Sequence, residues 1–283
     1  MSRQRTITAA VLAPFAIAAL LLLPTPWLAV IATILFLMGL WEWTRLVGIE
    51  DSVPRAMYLL VNLCLIAVLA WSPRVLLQVI ALIGVCWWLL ALLWLARPQL
   101  GRSDAGWARS LKLAVGTLCV VPAWCGLVLL HGGNKLDGIL QMNWGMTLDH
   151  RWALVAVAMV WVADSGAYTI GSRFGRRKLI PLVSPNKTWA GLMGGLTFGV
   201  AFVLLASPWL GVGMGALPQL AALALLGVLA SVDGDLLESL MKRQAGVKDS
   251  GDVFPGHGGV LDRVDSLLAA LPVMAIGKEV LGL

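Results

Sequence analysis

Long apolar runs, each about the length of a membrane span, alternate with short polar segments along most of this chain. Residues 7–40 and 188–232 contain no charged residue, and the prolines around Pro24 and Pro208 divide each run into two. An apolar helix of about 20 residues crosses the hydrocarbon core of a bilayer. Because the runs are continuous rather than alternating, they favour helices over the strands of a barrel. The pattern predicts an all-α, polytopic membrane bundle with about nine spans.

The distribution of basic residues predicts which way this bundle faces. With the N-terminus in the cytosol, 17 Lys and Arg residues lie on the inner side and four on the outer side. Such a bias is typical of the cytosolic side of membrane proteins. The sequence therefore predicts a cytosolic N-terminus and an external C-terminus. The four outer residues are Arg74, Lys135, Arg151 and Lys278.

Composition supports the membrane assignment, since 59% of the 283 residues are hydrophobic and 13% are charged. The net charge of +6 is explained by this inner bias, so we expect no nucleic-acid partner. The four cysteines all lie in apolar runs and contain no CxxC pair, which favours small buried residues over a disulfide or a metal site. Residues 1–150 are expected to form a scaffold, and residues 151–283 a catalytic membrane region.

Polar chemistry is concentrated in one segment of the catalytic region, residues 231–265, which we expect at the cytosolic face. On its first helix, Asp235, Ser239, Lys242 and Arg243 are spaced to share one helical face. That face suits a phosphate chain with its metal, although a solvated helix end with internal salt bridges explains it as simply. The segment also contains these charged residues: Asp233, Glu238, Lys248, Asp249, Asp252, His257, Asp262, Arg263 and Asp265.

Two aspartates begin the last predicted helix. Asp262 and Asp265, after the turn at Gly258-Gly259, are three residues apart and stack on one face. Two carboxylates so close favour a cation between them, and oxygen ligands without a His or Cys set indicate Mg²⁺. The alternative is that both only cap the helix beside Arg263. His257 is a candidate phosphate donor or acid–base group.

A second polar cluster lies upstream, in residues 164–188. Asp164 falls about 12 Å along a predicted span from its cytosolic end, where a carboxylate is costly and marks a functional candidate. Ser184, Lys187 and Thr188 supply hydroxyls and a cation just before an uncharged helix, which suits phosphate binding. The intervening basic loop has the alternative role of fixing topology and attracting anionic lipid. Together the clusters indicate transfer of a phosphorus group between a nucleotide and a lipid.

The same residues resemble the signature of the phosphatidate cytidylyltransferase (CDP-diacylglycerol synthase) family. The resemblance covers residues 150 to 270, including the upstream stretches ADSGAY, GSRFGRRKL and SPNKTWAG, and the N-terminal half is similar only in its hydrophobic pattern. The signature residues are Ser239, Lys242-Arg243, Lys248-Asp249, Gly251, Phe254-Pro255, His257-Gly258-Gly259 and Asp262-Arg263-Val264-Asp265.

This resemblance implies an enzyme of phospholipid biosynthesis that converts CTP and phosphatidate into CDP-diacylglycerol and diphosphate. It implies Mg²⁺ and, as in studied relatives, a monovalent cation such as K⁺, with Asp235, Asp262 and Asp265 as metal ligands. The lipid phosphate is the implied nucleophile. The implied location is a bacterial-type inner membrane with the site facing the cytosol, and a homodimer is one open alternative.

The chain departs from the resemblance at two positions. Relatives usually carry Glu where this chain has Ala190, and an apolar residue where it has Asp233. A rebuilt site, a weaker enzyme and compensation by Asp233 are the open explanations. The rival functions are another CTP-dependent lipid enzyme, such as a polyprenol kinase, and an ion-coupled transporter. The transporter is disfavoured because the first half has almost no polar residues within its spans.

Overall fold

The computed structural model describes residues 3–102, 105–132, 149–251 and 258–283, most of which are helical. It has ten helices in these ranges, of which α8 is a single turn. They are α1 (Arg3–Leu22), α2 (Thr25–Leu46), α3 (Ser52–Ala70), α4 (Arg74–Ala96), α5 (Gly106–Gly132), α6 (Asp149–Phe174), α7 (Trp189–Leu205), α8 (Ser207–Leu210), α9 (Leu217–Gln244) and α10 (Leu261–Leu281).

Six helices in the described ranges are long and apolar enough to cross a membrane: α2, α3, α4, α5, α6 and α9. The all-α membrane bundle is thus confirmed. The predicted divisions coincide with helix boundaries, since α1 ends at Leu22 just before Pro24, and α7 ends at Leu205 just before the single turn α8 that contains Pro208. The count of nine spans, the orientation and the division into scaffold and catalytic halves stay predictions.

Helices α5 and α10 lie at the centre of the bundle. Helix α5 is largely buried from Val115 onward and packs against α2, α4, α6 and α10. Small residues allow these close approaches, as is common between membrane helices. A Cβ atom on Gly126 would lie 2.7 Å from the backbone carbon of Leu271, so α5 touches α10 backbone to backbone. This packing sets where the start of α10 lies.

The prediction that all four cysteines are buried is only half right. All are free, and Cys119 and Cys125 are buried in α5 as predicted. Cys64 and Cys86, by contrast, are exposed on the outer surface of the bundle. In a membrane protein that surface faces lipid, which accepts an apolar thiol as readily as a protein core does.

A short hairpin between α6 and α7 was not predicted. Strand β1 (Lys178–Ile180) pairs antiparallel with β2 (Ser184–Thr188), with Lys178 opposite Thr188. The pairing ends where the Thr188 hydroxyl accepts a hydrogen bond from the Gly191 backbone N–H and caps α7. The hairpin therefore sets the direction from which Lys187 leaves the backbone.

Polar contacts hold both ends of the bundle. At one end Arg74, which begins α4, forms a salt bridge with Glu279 near the end of α10. At the opposite end the Gln244 amide donates hydrogen bonds to the carbonyl oxygens of Pro98 and Leu100, at 3.0 and 2.9 Å. This second end carries the candidate site.

Candidate active site

Polar side chains line the last turns of α9, which ends at Gln244. Asp235 accepts a hydrogen bond from the Ser239 hydroxyl at 3.2 Å and forms a salt bridge of 2.7 Å with Lys187. The Lys187 ammonium also lies 3.5 Å from the Val232 carbonyl oxygen. The hairpin and α9 thereby bring together two residues that are 48 positions apart in the sequence, and both were predicted site residues.

One turn further along α9, Lys242 joins two acidic side chains. It forms an ion pair with Glu238 on its own helix and a second one, of 2.6 Å, with Asp262 on α10. The side chains of Lys242, Glu238 and Asp262 are 14%, 2% and 10% exposed. Ion pairs this far from water are screened little by salt. Lys242 therefore fixes α10 against α9 at the site.

The second oxygen of Asp262 organises the turn before α10. It accepts hydrogen bonds from the backbone N–H groups of Gly259, at 2.7 Å, and Ser250, at 3.1 Å. The Ser250 hydroxyl lies 3.0 Å from the same oxygen. Gly258 has φ +79°, a conformation that favours glycine. The predicted tight turn and the predicted helix start, now at Leu261, are both confirmed.

Asp265 lies one turn deeper, where α9 and α10 cross closely. Its side chain is buried, and one carboxylate oxygen accepts a hydrogen bond from the Ser266 backbone N–H at 2.6 Å. Gly234 makes the crossing possible, because a Cβ atom there would collide with the Asp265 carbonyl oxygen. Asp235 is near enough to Asp265 for a direct electrostatic interaction. We call Lys187, Asp235, Glu238, Lys242, Asp262 and Asp265 the carboxylate–lysine cluster.

Asp164 belongs to the surroundings of this cluster. It lies on α6, ten residues before the helix ends at Phe174, and its side chain is exposed on the surface of the described chain. Asp235 and Lys187 are its principal charged neighbours. The structure therefore brings the two clusters predicted from the sequence into one neighbourhood.

The remaining predicted site residues lie further out. Lys248, Asp249 and Arg263 are exposed around the turn between α9 and α10. Arg243 is also exposed, and its Nε donates a 3.4 Å hydrogen bond to the Val183 carbonyl oxygen beside the hairpin. Ser184 begins β2, and the Thr188 oxygen is engaged as the cap of α7. His257 lies outside the described residues.

The donor set of the cluster fits a hard divalent cation by its chemistry. It contains four carboxylates and no His or Cys, the pattern that Mg²⁺ prefers. Glu238 Oε1 is buried and has no hydrogen-bond partner within the described ranges, so the cluster keeps an unused acceptor there. Among the described residues, no three His, Cys, Asp or Glu side chains lie close enough together to hold a metal ion. The ammonium groups of Lys187 and Lys242 contact three of these carboxylates, those of Asp235, Glu238 and Asp262.

Two residues at the site were not predicted from the sequence. Ser250 and Glu42 are both buried and lie 2.9 Å apart, oxygen to oxygen. Glu42 is on α2, 208 residues before Ser250. The signal that could have found it is its charge near the end of a long apolar helix, where acidic residues are rare and usually functional.

The cluster lies in a chain with clear relatives. The sequence profile of a family described as the cytidylyltransferase family matches residues 3–281. A protein of Pseudomonas aeruginosa named phosphatidate cytidylyltransferase is 40% identical over 281 residues, covering 97% of this chain and 96% of its own length. A Haemophilus influenzae protein of the same name is 34% identical, covering 96% of each chain. A Staphylococcus aureus protein of that name is 41% identical over 126 residues, covering 44% of this chain and 48% of its own length.

Proposed function

The chain belongs to the cytidylyltransferase family, and we propose that its carboxylate–lysine cluster is where CMP passes from CTP to phosphatidate. The enzyme is a nucleotidyltransferase of phospholipid biosynthesis that makes CDP-diacylglycerol. The observation that carries the proposed site is the paired arrangement of Lys187 with Asp235 and of Lys242 with Asp262. Two cations and several carboxylates at one helix crossing suit a reaction between two phosphate-bearing substrates.

The reaction needs no nucleophile from the protein. An oxygen of the phosphatidate phosphate attacks the α-phosphorus of CTP and forms the new P–O bond. The bond from the α-phosphorus to the oxygen that bridges to the β-phosphate breaks, and the electron pair leaves with diphosphate. Catalysis of phosphoryl and nucleotidyl transfer therefore depends mainly on positioning and on neutralising charge.

Lys187 and Lys242 are suited to neutralise that charge. In the structure both ammonium groups are held by carboxylates, which orient them before substrate arrives. Mg²⁺ is usually bound by one or two protein carboxylates together with substrate phosphates. Asp235, Asp262 and Asp265 would supply such carboxylates, although in the described part of the chain they do not surround a single point. The bound ion would supply electrostatic stabilisation of phosphate oxygens. Ser239, on the same face as Asp235, orients that carboxylate through its 3.2 Å hydrogen bond.

A polar cavity beside the cluster suits the nucleotide. Its volume is about 590 Å³, within the range of small-molecule sites, and Asp249 and Ser250 form part of its wall. Its basic lining residues outnumber its acidic ones, which favours a polyanion. We place the approach of CTP on this side. The basic lining residues are Arg45, Arg55, Arg102 and Lys112, and the acidic ones are Glu50 and Asp249.

For the membrane arrangement we propose nine spans, with the cluster and the N-terminus at the cytosolic face of a bacterial inner membrane. The 17-to-4 bias of basic residues supports this orientation. The contacts at the two ends of the bundle also support it, because each joins residues that the nine-span arrangement puts on the same side. Arg74 with Glu279 is an outer pair, and Gln244 with Pro98 is an inner one.

The test is product analysis with purified protein in detergent. CTP labelled at the α-phosphate, phosphatidate and Mg²⁺ should give a labelled lipid that co-migrates with CDP-diacylglycerol. Asp235→Asn should abolish it, while Asp51→Asn, an exposed acid outside the cluster, should not. Label that moves from the γ-phosphate of CTP to a lipid alcohol would indicate a kinase and contradict the proposal.

A further inference from the structure

Glu42 is a buried acid whose two oxygens are both fully engaged. It lies near the end of α2 and is 3% exposed. Its Oε1 accepts a 2.9 Å hydrogen bond from the backbone N–H of Val260, and its Oε2 accepts one of 2.8 Å from that of Leu261. The Ser250 hydroxyl lies 2.9 Å from Oε2. A burial this complete is costly for a carboxylate unless these donors offset it.

These contacts give α10 a cap that its own sequence lacks. Val260 occupies the cap position of α10 and makes no side-chain hydrogen bond there. The first N–H groups of any helix have no partner within the helix, and its N-terminus attracts negative charge. Glu42 supplies both the acceptors and the charge from a different helix. The start of α10 is thereby joined to α2 across more than 200 residues of sequence.

The loop around this carboxylate is built to leave room for it. A Cβ atom on Gly251 would lie 2.5 Å from Glu42 Oε1, and one on Gly259 would collide with Oε2. The glycines of the signature therefore bring their backbone against Glu42. Larger side chains at either position would displace the carboxylate or the loop.

The groups that contact Glu42 also contact Asp262 or lie next to residues that do. The Ser250 hydroxyl lies within hydrogen-bond distance of both Glu42 and Asp262, and Gly259 donates its backbone N–H to Asp262. Glu42 thus holds both the Ser250 hydroxyl and the start of α10, the two places from which the Asp262 carboxylate is oriented. The hydrogen bonds of Glu42 go to Ser250, Val260 and Leu261, so its effect on Asp262 is indirect.

We propose that Glu42 is a positioning residue, which holds the start of α10 so that Asp262 faces the reacting phosphates and their cation. This inference rests on the proposed function for the role of Asp262. A side chain that orients a metal ligand through intervening groups affects metal affinity or activity by about 10- to 100-fold when it is replaced. A residue that only stabilises the fold would change neither.

The test compares Glu42→Gln with Asp51→Asn, which removes the charge of an exposed acid at the start of α3. Hydrogen–deuterium exchange of residues 258–268, in metal-free protein without substrates, reports the cap itself. Initial rates against Mg²⁺ concentration report the positioning. Glu42→Gln should speed exchange in that segment and raise the half-saturating Mg²⁺ concentration about tenfold or more. Asp51→Asn should match the wild type in both measurements.

Two results would overturn the inference: exchange that matches the wild type, or faster exchange with an unchanged Mg²⁺ dependence and rate. If Glu42→Gln does not fold, Ser250→Ala breaks the link to Asp262 while keeping the cap, and it should shift the Mg²⁺ dependence in the same direction. If the wild-type rate does not depend on Mg²⁺ concentration, the proposed metal site is contradicted instead. The exchange rates would still decide whether Glu42 holds the helix start.

Discussion

Replacing Lys242 with methionine should destabilise the fold as well as the reaction. The ammonium of Lys242 lies between Glu238 and Asp262, and all three side chains are at most 14% exposed. Methionine keeps most of the side-chain length and removes the charge. Two buried carboxylates then face each other without the cation that joins α9 to α10.

The expected cost follows from this burial. Removing one partner of a buried ion pair typically costs about 3–5 kcal/mol, because the remaining charge is left uncompensated. Exposed lysines contribute far less, and Lys248→Met should change the free energy of unfolding by only about 0.5 kcal/mol. Lys242→Arg keeps the positive charge and should lose less than Lys242→Met.

The assay is denaturant unfolding in detergent micelles, followed by the fluorescence of the 14 tryptophans. In a Glu238→Gln background, Lys242→Met should cost less than it does alone, because one uncompensated carboxylate has been removed. A Lys242→Met protein as stable as Lys248→Met would refute this reasoning. The Lys242 contacts would then be surface pairs of little energetic consequence.

Three further predictions concern topology and the two departures from the family pattern. In a background without native cysteines, Val247→Cys should be labelled from the cytosolic side and Met214→Cys from the outside; labelling of both from one side would contradict nine spans. Ala190→Glu should raise the rate of CDP-diacylglycerol formation, and an unchanged rate would mean that the site functions without this carboxylate. Asp233→Val should raise the free energy of unfolding by about 1–3 kcal/mol, because Asp233 Oδ1 is buried and has no hydrogen-bond partner in the described part of the chain. Denaturant unfolding that shows a loss would mean that the carboxylate has a favourable role.

Much of the helical arrangement could be predicted from hydrophobic runs alone. A continuous apolar run in a membrane has to form a helix, because only a helix satisfies its backbone hydrogen bonds locally. Pro24 and Pro208 interrupt this bonding, so both divisions were visible in the sequence. The start of α10 was also visible, because Gly258-Gly259 is a local turn signal and Asp262 is an acid in the first turn of the helix. The hairpin was missed because strands of three and five residues leave almost no periodic signal.

The contacts across the site depend on tertiary packing. The spacing of Asp235, Ser239 and Lys242 predicted one helical face, but it did not indicate which partners would meet that face. Lys187 reaches Asp235 only because the hairpin turns the chain back toward α9. Glu42 reaches α10 through the packing of helices that are distant in sequence. No local pattern encodes such a pair.

The central claim is that the aspartates at the start of α10 hold the cation that supports nucleotidyl transfer. Its most direct test is the initial rate of CDP-diacylglycerol formation against Mg²⁺ concentration for wild type, Asp262→Asn and Asp265→Asn. Each substitution keeps the side-chain shape and removes one negative charge. The account predicts a rate loss of about 10²-fold or more in both variants, with a higher Mg²⁺ requirement in any residual activity. Wild-type rates with an unaltered Mg²⁺ dependence in both variants would contradict it.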